Sequence, residues 1–306
     1  MLKINDISYS VEGRLLLENA TAIIPAGHKV GVVGRNGTGK TTLFRLIRGE
    51  LGLEGGSITL PRQAKIGGVA QEVPGNEVSL LDTVLAADLE RATLMKEAER
   101  ATDAARISDI QTRLADIDAW SAEARASSIL RGLGFDSKKQ QMPCSAFSGG
   151  WRMRVSLAAV LFSQPDVLLL DEPTNYLDLE GALWLENYLL KYPHTVLVVS
   201  HDRGLLNRSV STILHLEDKK LHLYGGGYDT FAKTRAARLA AAESEAKKQE
   251  TRRAHLQSYV DRFRYKADKA RQAQSRLKAI ARLEPITRPQ EAALRRFSFP
   301  TPEELS

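Results

Sequence analysis

Cysteine is almost absent: Cys144 is the single one in 306 residues. An internal disulfide framework is therefore excluded, and a reducing compartment fits. With no histidine or second cysteine near it in sequence, Cys144 is expected to be a small buried hydrophobe rather than a metal ligand. Long apolar runs are missing too, and none approaches the roughly 20 residues a membrane helix needs. The opening MLKINDISYS has no apolar stretch of signal-peptide type. These absences point to a cytoplasmic chain with no membrane partner. The length allows one large domain with an appendage, or two domains.

What is present is charge, unevenly spread. Lys and Arg total 43 against 37 Asp and Glu. Between Phe231 and Glu284 there are 15 basic and 6 acidic residues, while the remainder holds 28 and 31. The whole basic excess sits in one segment, which suggests an anionic partner for that segment alone.

Texture changes along the chain mark its organisation. Lys29-Val30-Gly31-Val32-Val33 reads as a buried strand and Gly39 to Arg48 as a helix after a glycine loop. From Leu81 the composition shifts to Ala, Glu, Arg and Leu, and Ile107, Ile110, Leu114 and Ile117 recur at helical spacing. Residues 81–133 are read as an all-helical insertion, flanked by core segments 1–80 and 134–228. Val167 to Leu170 and Thr195 to Ser200 are apolar runs of the buried parallel type. A basic helical stretch is expected over 229–284.

Three motifs carry chemistry. Gly34-Arg35-Asn36-Gly37-Thr38-Gly39-Lys40-Thr41 matches G-x-x-x-x-G-K-[ST] between a predicted strand and a predicted helix. Glycines there let backbone N–H groups wrap a phosphate at a helix N-terminus, with Thr42 in the first turn. Lys40 would reach the β- and γ-phosphates, and the Thr41 hydroxyl would ligate Mg²⁺. Val167 to Leu170 bury a strand from whose C-terminal end Asp171 and Glu172 emerge, where open α/β sheets place ligands. Asp171 would hold the Mg²⁺ shell and Glu172 would polarise an attacking water. Ser148-Gly149-Gly150 before a helix-forming run makes a second anion-receptive N-terminus, more than one nucleotide needs from one domain.

With these motifs in order, the chain resembles the ATP-binding cassette superfamily. Phe147-Ser148-Gly149-Gly150-Trp151 resembles its signature loop, which closes on the γ-phosphate held by a partner cassette. The resemblance implies that Gln71 senses metal and attacking water, that Asn175-Tyr176-Leu177-Asp178 is the D-loop, and that His201 contacts the γ-phosphate. Tyr9, two residues before Val11, either stacks on adenine or is an ordinary strand residue. The implied fold is a P-loop α/β cassette with a mixed sheet and an all-helical arm. ATP and Mg²⁺ are the implied cofactors.

Phe147 to Arg154, Asp171 to Asp178 and the basic segment together resemble the ABC-F family, whose members carry two cassettes joined by a helical linker and act on ribosomes. The resemblance implies rRNA and tRNA as partners, with Arg262, Arg264, Lys266, Lys269, Arg271, Arg276 and Lys278 as RNA contacts. Two departures stand out. Tyr176 occupies a position usually held by His, and only one phosphate loop and one signature are present. Residues 285–306, with Phe297-Ser298-Phe299-Pro300, are read as the start of an absent second cassette. The chain is thus expected to be a truncated first half, weak or inactive as an ATPase alone. Its second cassette would come from the intact chain or from a head-to-tail homodimer. Pattern alone makes the basic segment one continuous helix; the resemblance implies a hairpin turning near Arg264 to Arg271. A transporter ATPase subunit, a DNA-associated ATPase, and a merely solvated basic spacer are the rival readings.

Overall fold

The computed structural model describes residues 1–69, 75–263, 275 and 278. In chain order, β1 (Leu2–Val11) and β2 (Arg14–Ile24) lead into β3 (Lys29–Gly34) and α1 (Lys40–Ile47). Strands β4 (Gly55–Thr59) and β5 (Ile66–Gly68) follow, then α2 (Leu80–Leu85), α3 (Leu89–Ala98), α4 (Ala104–Asp116), α5 (Ala122–Gly132), α6 (Ser137–Gln140) and α7 (Gly149–Phe162). The chain returns to the sheet with β6 (Val167–Asp171), α8 (Leu179–Lys191), β7 (Thr195–Val199), α9 (Arg203–Arg208), β8 (Thr212–Glu217) and β9 (Lys220–Gly225). Helix α10 (Tyr228–Phe263) is the last named element among the described residues.

Two sheets form. The smaller, ordered β2-β1-β4, is antiparallel. The larger runs β5-β6-β7-β3-β8-β9, parallel except for β9. The reason lies in the strand sequences. All five residues of β7 and the four apolar residues of β6 are buried, the continuous pattern of a parallel strand covered on both faces. Each such side chain contributes roughly 1.5–3 kcal/mol by leaving water. Gly31 in β3 is required by packing, because a Cβ there would meet Leu206 Cδ2 at 2.7 Å and Ile213 Cδ1 at 2.8 Å.

One apolar layer lies where Leu2, Ile4, Ile24, Val32 and Phe44 meet Leu169, Leu197 and Leu214. The other joins Leu168, Leu170 and Val198 to α2, α5, α7 and α8. Helices α3 and α4 keep a small core of their own around Ile110, Leu114 and Ala119. Of the apolar stripe expected on α4, Ile110 and Leu114 are buried, whereas Ile107 is 38% exposed. From Leu80 to Phe162 no strand interrupts the helices. Because α2 and α5 pack on α7, the helical layer continues past residue 133. Cys144 is fully buried, its Sγ 3.3 Å from Thr83 Oγ1.

The chain divides into two compact units, Met1–Phe231 and Ala232–Ser306. The first turn of α10 is fixed in the first unit, where Phe231 packs edge-on against His215 and Tyr224, centroids 5.0 Å from each. The described part of the second unit is the remainder of α10, with Ser275 and Lys278 also helical. Among the described residues no helix is long and apolar enough to cross a membrane.

Candidate functional site

The phosphate loop bridges β3 and α1. Gly39 precedes α1 at φ 103°, a left-handed conformation that costs glycine least. Gly34 lies so close to β8 that a Cβ would meet Leu216 O at 2.9 Å. No acidic side chain sits in the first turn of α1 and no side chain caps it. The N–H groups of Lys40, Thr41 and Thr42 therefore face outward with the helix dipole behind them. Lys40 Nζ donates to the carbonyls of Gly34 (3.0 Å) and Arg35 (3.2 Å), while the Thr38 hydroxyl closes the loop on Arg35 O at 2.9 Å.

Strand order brings the second motif to the first. With β7 between β3 and β6, the C-terminal ends of all three point to one place. There the Thr41 hydroxyl donates to Asp171 Oδ2 at 2.7 Å. Glu172 stands just beyond at φ 49°, its N–H bonded to Val199 O. Its Oε2 accepts from the His201 backbone N–H at 3.2 Å, and its Oε1 lies 3.4 Å from His201 Nε2. That Oε1 is buried and accepts no hydrogen bond, an acceptor available where a water nucleophile would be oriented.

A cavity of about 590 Å³ collects these groups, a size suited to a nucleotide. Asn36, Gly37, Gly39, Lys40, Thr41, Thr42, Asp171, Glu172 and His201 line it, together with the hairpin residues Val11, Glu12, Arg14 and Leu16. Tyr9 is not in that lining: it packs half-buried on the apolar core. A second cavity of about 280 Å³ shares Thr41, Asp171 and Glu172 and continues to Val69, Met153, Arg154 and the D-loop. Gln71 lies outside the described residues. The donor set fits Mg²⁺, since hydroxyl and carboxylate are hard oxygen ligands and this ion takes few protein ligands beside phosphates. No group of three or more His, Cys, Asp or Glu that could hold a metal occurs among the described residues.

The Ser148-Gly149-Gly150 turn is elsewhere. Ser148 precedes α7, all three residues are exposed, and a Cβ on either glycine would meet nothing within 4 Å. Below it, Phe147 and Trp151 pack edge-on against the buried Phe135 at 5.7 and 5.1 Å, which anchors both flanks of the exposed loop. Arg154 lies in the Phe147 to Arg154 motif, but the sequence assigns it no role of its own. Its guanidinium lies 4.4 Å from the Trp151 ring centre and donates to Leu133 O, to Tyr176 O and to Asp178 Oδ2, the last at 3.0 Å. The Gly181 N–H and Arg154 hold the Asp178 carboxyl below its usual pKa. A basic residue four positions after Ser148-Gly149-Gly150 gives no local signal of this role.

Of the basic residues expected to contact RNA, Lys278 is exposed on a helical residue and Arg262 falls within α10. Arg264, Lys266, Lys269, Arg271 and Arg276 lie outside the described residues, as do the expected hairpin turn and segment 285–306.

A glycine loop capping a parallel strand, with an acidic pair across an intervening strand, defines a P-loop nucleotide-binding cassette. The chain belongs to the ABC transporter family, whose model matches residues 17–175, and within it is of ABC-F type. A second model, also described as ABC transporter, matches 214–299. "Probable ATP-binding protein YheS" of Escherichia coli K12 is 46% identical over 295 residues, covering 95% of this chain and 46% of the relative. "ATP-binding cassette sub-family F member 3" of Homo sapiens is 41% identical, covering 96% and 43%. The chain thus spans under half the length of these curated relatives. The ATP-binding subunit of an ABC transporter superposes with TM-score 0.58 at 18% identity, over 77% of this chain and 93% of that one. A post-hydrolysis cassette dimer bound to ADP and Pi does so with TM-score 0.54 at 21% identity, over 74% and 98%. At these identities the superpositions speak for the fold alone.

Proposed function

We propose that the chain binds ATP with Mg²⁺ at the phosphate-loop cavity and hydrolyses it once a second cassette completes the site. One observation carries this: Thr41, Asp171, Glu172 and His201 converge on the phosphate loop, while Ser148-Gly149-Gly150 is exposed outside that cavity. A helix N-terminus presented to solvent is suited to an anion held by another cassette. Glu172 accepts a proton from the water it orients, His201 positions Glu172 and the γ-phosphate, and Lys40 leaves its carbonyl partners to neutralise phosphate charge. Bound Mg²⁺, on Thr41 and Asp171, would offset charge on the phosphate oxygens. The second cassette is either the other half of a longer chain or a head-to-tail copy. The Glu172→Gln chain in ATP with Mg²⁺ should double its mass in light scattering and stay monomeric in ADP. A monomer under both conditions would count against the head-to-tail copy and leave the other half of a longer chain as the source.

The finer reading is a cytoplasmic factor that acts on ribosomes, with the basic segment against rRNA and tRNA phosphates. Its support is the segment's 15 basic against 6 acidic residues and the sub-family F relatives; the transporter reading rests on the description of the two family models and on fold similarity. Co-sedimentation with ribosomes should rise in ATP and fall steeply with salt. Equal pelleting with and without ATP would argue against it.

A further inference from the structure

Asn36 is the one asparagine of the chain that is followed by glycine. An asparagine carboxamide is open to attack by the backbone nitrogen of the next residue, and a side chain on that residue is the usual obstruction. Gly37 has none and stands in open space, where even an added Cβ would meet nothing within 4 Å. Both residues are exposed and form the centre of a turn, with Gly37 at φ 74°. The turn closes on Arg35 O through the Thr38 N–H, at 3.3 Å longer than an ordinary backbone bond, and through the Thr38 hydroxyl at 2.9 Å. Among the described residues neither the Asn36 carboxamide nor the Gly37 N–H has a hydrogen-bond partner. Asn19, Asn76, Asn187 and Asn207 differ, each being held by a hydrogen bond through its side chain.

We propose that Asn36 is a site of spontaneous deamidation, which switches off the phosphate loop of chains that hold no nucleotide. The Gly37 nitrogen bonds to Asn36 Cγ and closes a five-membered imide. The Cγ–N bond of the carboxamide breaks, and its nitrogen leaves as ammonia with the proton from Gly37. Water then opens one of the two ring C–N bonds. Opening at Cγ leaves an aspartate; opening at the main-chain carbonyl leaves an isoaspartate, whose backbone runs through Cγ and is one carbon longer. Water is the only co-reactant, and nothing is oxidised or reduced. Either product puts a carboxylate on the wall of the cavity, beside the helix N-terminus that is suited to an anion. A bound triphosphate opposes the step, because loop N–H groups that cradle phosphate are held away from Cγ. This protection rests on the triphosphate reading of the cavity; the deamidation itself does not.

Peptide mass analysis with isoaspartate detection tests this, on chain kept in mildly alkaline buffer with and without ATP and Mg²⁺. Asn36 should convert faster than every other asparagine, and affinity for ATP should fall in step with its conversion. ATP at about ten times its Kd leaves about one chain in ten empty and should slow conversion about tenfold. Asn36→Asp should weaken ATP binding about tenfold from the outset. Asn36→Gln, which would have to close a slower six-membered ring, should lose no affinity as it ages, whatever its starting value. An intact Asn36 after a time in which the urea-unfolded chain has converted, or complete conversion with affinity unchanged, overturns the proposal. Titration of the fresh chain with ATP separates the two readings. ATP binding without conversion leaves the triphosphate site standing and removes the deamidation. Conversion in a fresh chain that binds no ATP removes the triphosphate reading, and the protection with it.

Discussion

The Thr41 hydroxyl and the Asp171 carboxylate, 130 residues apart in sequence, are joined by a 2.7 Å hydrogen bond. This bond ties the first turn of α1 to the end of β6 and places two hard oxygen ligands side by side. Asp171→Asn keeps the shape and removes the charge. Mg²⁺-dependent ATP binding should then weaken by about 10- to 100-fold, the worth of a charge-assisted contact of about 1.5–3 kcal/mol. Titrations with Mg²⁺ and with EDTA measure it, and the metal-free affinity should change little.

Glu172→Gln retains the bond from the His201 N–H but removes the base. Phosphate release by the assembled two-cassette species should fall about 10²- to 10⁴-fold with ATP binding retained. Equal turnover would assign the base elsewhere.

Arg154 and Asp178 connect the helix after the Ser148-Gly150 turn to the D-loop. The Gly181 N–H and then the Arg154 guanidinium hold the Asp178 carboxyl below its ordinary pKa, so its stabilisation is present above the ordinary aspartate range and is lost as pH falls through the depressed value. Asp178→Asn should melt lower than the parent at neutral pH, and the gap should close in acid. A gap constant across that range would deny the linkage.

The Arg208 guanidinium holds the buried Glu186 with two 2.7 Å bonds, linking α9 to α8. Arg208→Ala strands a carboxylate that is 4% exposed and should lower the denaturant midpoint of unfolding. Arg208→Lys should recover part of this, since one ammonium cannot reproduce the fork.

Gly132 ends α5 against Trp184, where a Cβ would lie 2.0 Å from Cε2 of the indole. Gly132→Ala should therefore destabilise by about 1–3 kcal/mol through overpacking. An unchanged melting temperature would mean that Trp184 swings aside freely.

The phosphate loop, the Asp171-Glu172 pair and the buried strands could be read in the sequence because each is local. A glycine spacing or an unbroken apolar run carries its own geometry. Contacts such as Arg154 to Tyr176 and Glu186 to Arg208 join residues 22 apart on separate elements, and only packing brings them together. Tyr9 shows a subtler limit. Two-residue periodicity puts it on the same strand face as Val11, but the β1–β2 register shifts on both sides of Tyr9. A bulge breaks the alternation, so Val11 lines the cavity and Tyr9 joins the core. Ile107 fits the helical spacing yet sits at the exposed start of its stripe, because the small α3–α4 core covers only Ile110 and Leu114 fully.

Strand β7 supplies no phosphate ligand, but it separates β3 from β6 and leads directly to His201. It therefore works as the spacer of the site. Sliding it by one residue would carry His201 about 3.3 Å away from Glu172 and turn its buried valines to the wrong face. Insertions or deletions in Thr195 to Val199 should for that reason abolish nucleotide turnover more completely than many substitutions of the residues that line the cavity.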